Sequence, residues 1–186
     1  MAGSTPIATS IQFTYEDYLH FSEDKRYEII EGEVYMVQSP LTYHQRVSGN
    51  IFRVIAEYVE DRHLGVTFSA PLDVVLSDID VVQPDILFVS NENAGIITDK
   101  NIQGAPDMVI EILSPSSDYK DKVLKSKLYA KFGVKEYWLV DPGAKQIQVF
   151  TRKDAALALW NAYRLDETMH SALWPELILE LKSIFR

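Results

Sequence analysis

In TYHQRVSGNIFRVIAEYVEDRH, apolar side chains recur at Val47, Ile51, Val54, Ile55 and Tyr58, one stripe of an amphipathic helix over 43–62, with Gly65 just past its end. A second stripe, Leu124, Leu128 and Phe132, stops at Gly133 and predicts a helix over 117–132, with Ser116 to Asp118 near its N-terminus. Elsewhere the pattern is that of strands. RYEIIEGEVYMV reads as two strands around Glu31-Gly32, a hairpin signal. GVTFSAPLDVVLSD, VVQPDILFVS and PDMVIEILS are β-branched, apolar runs between turn residues, expected as central strands. VKEYWLVD and KQIQVFT flank Pro142-Gly143 as strand, turn and strand. Thr14 is placed to cap a short helix reaching about Phe21, and the tail LWPELILELKSIF fits either a strand or a short helix.

One residue breaks the apolar pattern. In PDMVIEILS a period of two sets Val109, Glu111 and Leu113 on one face and Met108, Ile110 and Ile112 on the other, so a carboxylate points from a core strand. Burying it unpaired costs several kcal/mol, so Glu111 must be neutral, paired, for instance with Lys125, or directed at a cation. Asp85 opens a neighbouring strand candidate 26 residues earlier, just after Pro84. Adjacent strands lie ~4.8 Å apart, and two carboxylates sharing one space favour a divalent cation between them, the physical basis of a magnesium site. Such a site needs a third group to orient water and offset phosphate charge. Asp121, Lys125 and Tyr129 share one side of the helix after Glu111, and Lys125 reaches back toward the strand end; Lys122 and Lys127 compete with it on periodicity alone.

Composition narrows the classes. The 186 residues suit one domain preceded by a flexible segment over 1–12, and the net charge of -9 argues against a general coat for nucleic acid. That charge is segregated: residues 118–135 hold six lysines and two aspartates. With no cysteine there is no disulfide, thiolate zinc site or cysteine nucleophile. No signal sequence or membrane-length apolar run occurs, so a cytoplasmic protein is expected. No G-x-S-x-G elbow supports a serine hydrolase, and no Gly-rich phosphate loop supports a nucleotide cofactor. Trp138, Trp160 and Trp174 read as core or interface residues rather than base-stacking platforms.

At these residues the chain resembles the PD-(D/E)xK nuclease superfamily: Pro84-Asp85 matches its first element, and Glu111-Ile112-Leu113 stands where that superfamily has an acid, any residue, then lysine. Leu113 departs from the pattern. The Uma-two family of bacterial endonucleases shares the departure, with the lysine moved to the following helix, and RYEIIEGEVYMV, VVQPDILFV, VIEILSPSS, KSKLYAKFGVKEYWLVDP and WPELILEL are similar to it over most of 11–185. The resemblance implies a restriction-endonuclease-like α/β domain over 13–186, with a mixed central sheet flanked by helices and an N-terminal β-hairpin. It implies a magnesium-dependent endonuclease, manganese being a substitute, that hydrolyses DNA with metal-activated water. Asp85 and Glu111 would be metal ligands, Asp85 bridging metal and scissile phosphate, and Lys125 the relocated lysine. Glu33 and His44 are further candidates for ligand, water-positioning or phosphate contacts, beside Asp121 and Tyr129. Cutting both strands of a duplex calls for two sites, hence a homodimer. The alternative, motivated by Leu113 and the acidic balance, is a catalytically silent module that binds nucleic acid or protein.

Overall fold

The computed structural model describes residues 11–22, 24–114 and 120–186. Most of the expected flexible segment 1–12, and the expected helix start at Ser116 to Asp118, lie outside these residues. Thr14 caps α1 (Tyr15–Tyr18): its Oγ1 accepts from Asp17 N, and the Asp17 carboxylate accepts from Thr14 N. The helix ends before Phe21. β1 (Arg26–Ile30) and β2 (Glu33–Val37) form the expected antiparallel hairpin, turning through Glu31 and Gly32, which both take left-handed conformations.

The long stripe folds as α2 (Thr42–Asp61), burying Val47, Ile51, Ile55 and Val59. Gly65 is not its stop. The chain turns at left-handed His63, and Gly65 already begins β3 (Gly65–Ser69). Then come β4 (Val74–Ser77), β5 (Asp80–Val82), β6 (Ile86–Ser90), a 3-10 turn, β7 (Ile102–Gln103) and β8 (Met108–Ile112). Lys120–Lys125 wind as a wide π-helical segment that tightens into α3 (Ser126–Phe132), which Gly133 ends with φ 98°. β9 (Glu136–Asp141), β10 (Gln146–Lys153), β11 (Ala156–Arg164), β12 (Thr168–His170), β13 (Ile178–Glu180) and α4 (Leu181–Ile184) complete the chain. The ambiguous tail is both things, a short strand and then a helical turn.

Six strands in the order β11-β10-β9-β8-β6-β3 form the main sheet, mixed because β8 and β9 run parallel while the other pairs are antiparallel. A second sheet, β2-β1-β5-β4-β7, carries the hairpin. Two of the runs expected as central strands are divided between these sheets. GVTFSAPLDVVLSD supplies an edge strand of one sheet and a strand of the other, and VVQPDILFVS splits between β5 and β6 around Gln83-Pro84-Asp85. Proline offers no ladder donor, so the chain changes sheets where pairing is interrupted.

The main sheet has a core on each face. On one, the α2 stripe packs with Met108, Ile110, Ile112 and Trp138, and with Trp174, Leu181 and Ile184 of the C-terminal segment. On the other, Val109 and Leu113 meet Leu128 and Tyr129 beside Ile30, Val74 and Val82 of the second sheet. Glu111 projects from that second face.

Candidate active site

The registry of β6 and β8 pairs Ile86 with Ile110, so the next step outward sets Asp85 opposite Glu111 at the strand ends. Paired residues of antiparallel strands point to the same face, which brings the two acids to one cavity. Asp85 is bound through one oxygen. Its Oδ2 accepts from Ile112 N at 2.8 Å and lies 3.3 Å from His44 Nε2. His44 is in the first turn of α2, and the same Nε2 donates to Ile112 O at 2.9 Å. Burial pulls the His44 pKa down, but the bond and charge of Asp85 outweigh it and hold the imidazole above its ordinary range.

Glu111 is 3% exposed. Its Oε1 accepts from Lys125 Nζ at 2.8 Å and from Tyr129 OH at 2.6 Å. Lys125 also lies 2.7 Å from Glu28 Oε1 and 3.4 Å from Asp121 Oδ1. The wide π-helical turn carries both Asp121 and Lys125 inward, with each only 3% exposed. Leu113, at the usual lysine position, is packed into the core instead. The amine therefore arrives from the helix. Of its rivals, Lys122 does not line the cavity, nor does Lys127.

Opposite charges crowd the site. Glu28, Asp85, Glu111 and Asp121 face Arg26, Lys120, Lys125 and His44. Burial, with the charges of Asp121, Asp85 and Glu28, pushes Glu111 up to about 8 despite Lys125. Burial acts the same way on Glu28, but Lys125 and Lys120 overcome it and hold that carboxylate down at about 2. Burial would depress Lys125, yet Glu111 and Glu28 raise it well above its ordinary value, so the amine is charged.

The donor set suits magnesium. Among the described residues, Glu111 Oε2 and Asp85 Oδ1 are left over from the bonds that fix their partner oxygens, and both residues line the cavity. Among the described residues, no three histidine, aspartate or glutamate side chains converge to form a metal cage. An ion here would rest on two carboxylates, water and substrate phosphate, the usual manner for Mg²⁺ and unlike structural zinc or calcium sites.

Glu33 is not brought to the site. It is exposed at the turn end of the hairpin, opposite Ile30, and accepts from Tyr35 OH at 2.8 Å, whereas the cavity takes the hairpin's other end, Arg26, Met36 and Val37. Asp121 and Tyr129 are brought in, Tyr129 as a buried donor beneath Glu111. The residue missed by sequence reasoning is Glu28. It stands 1% exposed in RYEII, and the signal was there: an acid inside an apolar strand, the same anomaly that marked Glu111.

Residues 14–182 match the model of the Uma2 family, described as "Putative restriction endonuclease". The chain belongs to the Uma2 family. The uncharacterized protein sll1609 of Synechocystis sp. is 22% identical to this Uma2 chain over 149 residues, 78% of this chain and 84% of that one. A crystal structure described as "a putative nuclease belonging to DUF820", from Anabaena variabilis, aligns with a TM-score of 0.77 and 23% identity, covering 93% of this chain and 97% of that one. The Uma2 chain thus has the mixed α/β, restriction-endonuclease-like fold expected from its sequence. Among the described residues, no helix is long and apolar enough to cross a membrane.

Proposed function

We propose that this Uma2 protein is a magnesium-dependent endonuclease that hydrolyses DNA phosphodiester bonds. The observation that carries the reading is Lys125 Nζ, 2.8 Å from Glu111 although Leu113 fills the usual lysine position. Asp85 and Glu111 would hold the ion through the oxygens left over from their internal bonds. A bound magnesium supplies an acidified water and offsets charge on the phosphate. The protein's own groups prepare that event. Tyr129 and Lys125 lock the Glu111 carboxylate from one side, and Ile112 N and His44 lock Asp85 from the other. Lys125, buried and charged, adds a fixed positive group beside the reacting phosphate, where low dielectric makes it effective.

One observation favours the silent-module alternative: Lys125 already has three acidic neighbours, as a purely structural ion pair would. Calorimetric titration of magnesium or manganese into the wild type and Glu111→Ala, with cleavage assays on plasmid and single-stranded DNA, separates the two readings. The nuclease reading expects metal binding and cleavage in the wild type and loss of both in Glu111→Ala. A wild type that neither binds metal nor cuts would make Glu111 a structural charge. Lys125→Met, which also costs stability because Glu28, Glu111 and Asp121 lose their shared cation, is expected to lower cleavage by the folded protein about 100-fold or more, the scale of one electrostatic stabiliser.

A further inference from the structure

The cavity has one cation that no acid claims. Lys125 is shared among Glu28, Glu111 and Asp121, Lys120 is held by Glu28, and His44 is held by Asp85 and Ile112 O. Arg26 also lines the cavity, and among the described residues its guanidinium meets no carboxylate. Its hydrogen bond to Gln38 O is long, at 3.4 Å, and leaves most of the five N–H donors of the fork available. A surface arginine without an acid is ordinary; what distinguishes Arg26 is its place.

That place is set by β1. Arg26 and Glu28 are two residues apart on the strand, so their side chains leave the same face ~6.6 Å apart. Glu28 is the acid that shares Lys125 with Glu111. Three cations therefore lie along one wall: Lys125, buried at the centre, Lys120, 14% exposed, and Arg26, half-buried at the outer end of β1. Met36 and Leu41, both exposed, frame the opening beside the uncharged Gln38 and Ser39, so no other lysine or arginine competes at the mouth. A nucleic-acid backbone with one phosphate at the Asp85–Glu111 centre must leave through this mouth, carrying its next phosphate past the rim. An arginine fork meets phosphate oxygens with two parallel N–H bonds, where a lysine offers a point charge.

We propose that Arg26 binds the DNA phosphate flanking the scissile one, fixing the register of the backbone across the site without reading its bases. The inference rests on the nuclease reading for where the scissile phosphate lies, but it is tested by binding. Fluorescence anisotropy on Glu111→Gln, which prevents turnover in magnesium, would follow a labelled oligonucleotide, single-stranded and annealed to its complement, over a series of salt concentrations. The same series is repeated with Arg26→Gln or Arg26→Lys added. With one long hydrogen bond to lose, both variants should keep the fold, which circular dichroism checks. Arg26→Gln is expected to weaken binding about tenfold and to flatten the plot of log affinity against log salt by about 0.9 for the duplex or about 0.7 for the single strand, the loss of one phosphate contact. Oligonucleotides of unrelated sequence should lose the same factor. Arg26→Lys should restore the slope but only part of the affinity, because it keeps the charge and loses the fork. Unchanged affinity and slope in Arg26→Gln, a loss confined to one sequence, a slope that lysine does not restore, or no binding of either form by Glu111→Gln would overturn the inference. Failure of the wild type to cut any DNA would defeat the nuclease reading instead, and leaves the salt series standing as the test of this one.

Discussion

Glu28 ties together groups that the chain contributes from three separate elements. Its carboxylate meets Lys120 and Lys125 and also accepts from Gln83 N at 2.9 Å. Removing a buried partner leaves the others uncompensated, so Glu28→Leu is expected to destabilise the protein by about 3–5 kcal/mol, read from urea unfolding. Asp107 gives a pH-dependent counterpart. Burial raises its pKa, but Lys135 at 2.6 Å and the Ser90 amide at 2.8 Å outweigh this and hold it below the ordinary 3.8. A depressed folded-state pKa adds stability above the unfolded value, and that stability is lost as pH falls through the folded one. Thermal unfolding between pH 6 and pH 3 should therefore fall more steeply for the wild type than for Asp107→Asn; equal slopes would refute the assignment. At this scale Glu111 was visible in the sequence because it breaks an apolar pattern, whereas Asp85 and Lys125 were singled out by the family resemblance, periodicity leaving Lys122 and Lys127 as rivals of Lys125. Glu28 carried the same anomaly, but the partners that give it a role lie 92 and 97 residues away.

Local signals placed the elements well where the cause is local. The Thr14 cap, the Glu31-Gly32 turn and the Gly133 stop each depend on neighbours within a few residues. Gly65 shows the opposite case, for its role is a close approach between strands. A Cβ there would sit 2.1 Å from Val89 O and 2.8 Å from Ser90 Cα, both backbone atoms that cannot swing aside. Gly65→Ala is expected to cost about 2 kcal/mol or more, while Gly133→Ala should cost about 1 kcal/mol, because its clash falls on the movable Arg152 guanidinium and leaves mainly the φ penalty. Urea midpoints of the two variants would show whether the order holds. The split of VVQPDILFVS between two sheets was not legible. Val81 and Val82 satisfy the same β pattern in either sheet, and only pairing with β1 and β4 assigns them.

Across the whole molecule, the C-terminal segment closes the core that positions His44. Leu181, Ile184 and Phe185 are buried under α2, Tyr43 OH donates to Phe185 O, and Asn50 Nδ2 donates to Ile184 O. Deleting residues 181–186 removes three buried apolar side chains and uncovers the face of α2 beneath them, a loss of about 5 kcal/mol or more, and thermal unfolding should drop by ten degrees or more. The sequence by itself determined which segments before the tail are helix or strand, that an acid must be compensated inside the β8 strand, and that the usual lysine position holds leucine, because periodicity and burial cost act over a few residues. Tertiary structure decided which cation meets Glu111, that Glu28 joins it, that Glu33 does not, and that Met36 and Leu41 frame the opening. Those outcomes depend on the registry of β6 against β8 and on the packing of one sheet over another, which bring together residues that no local pattern relates.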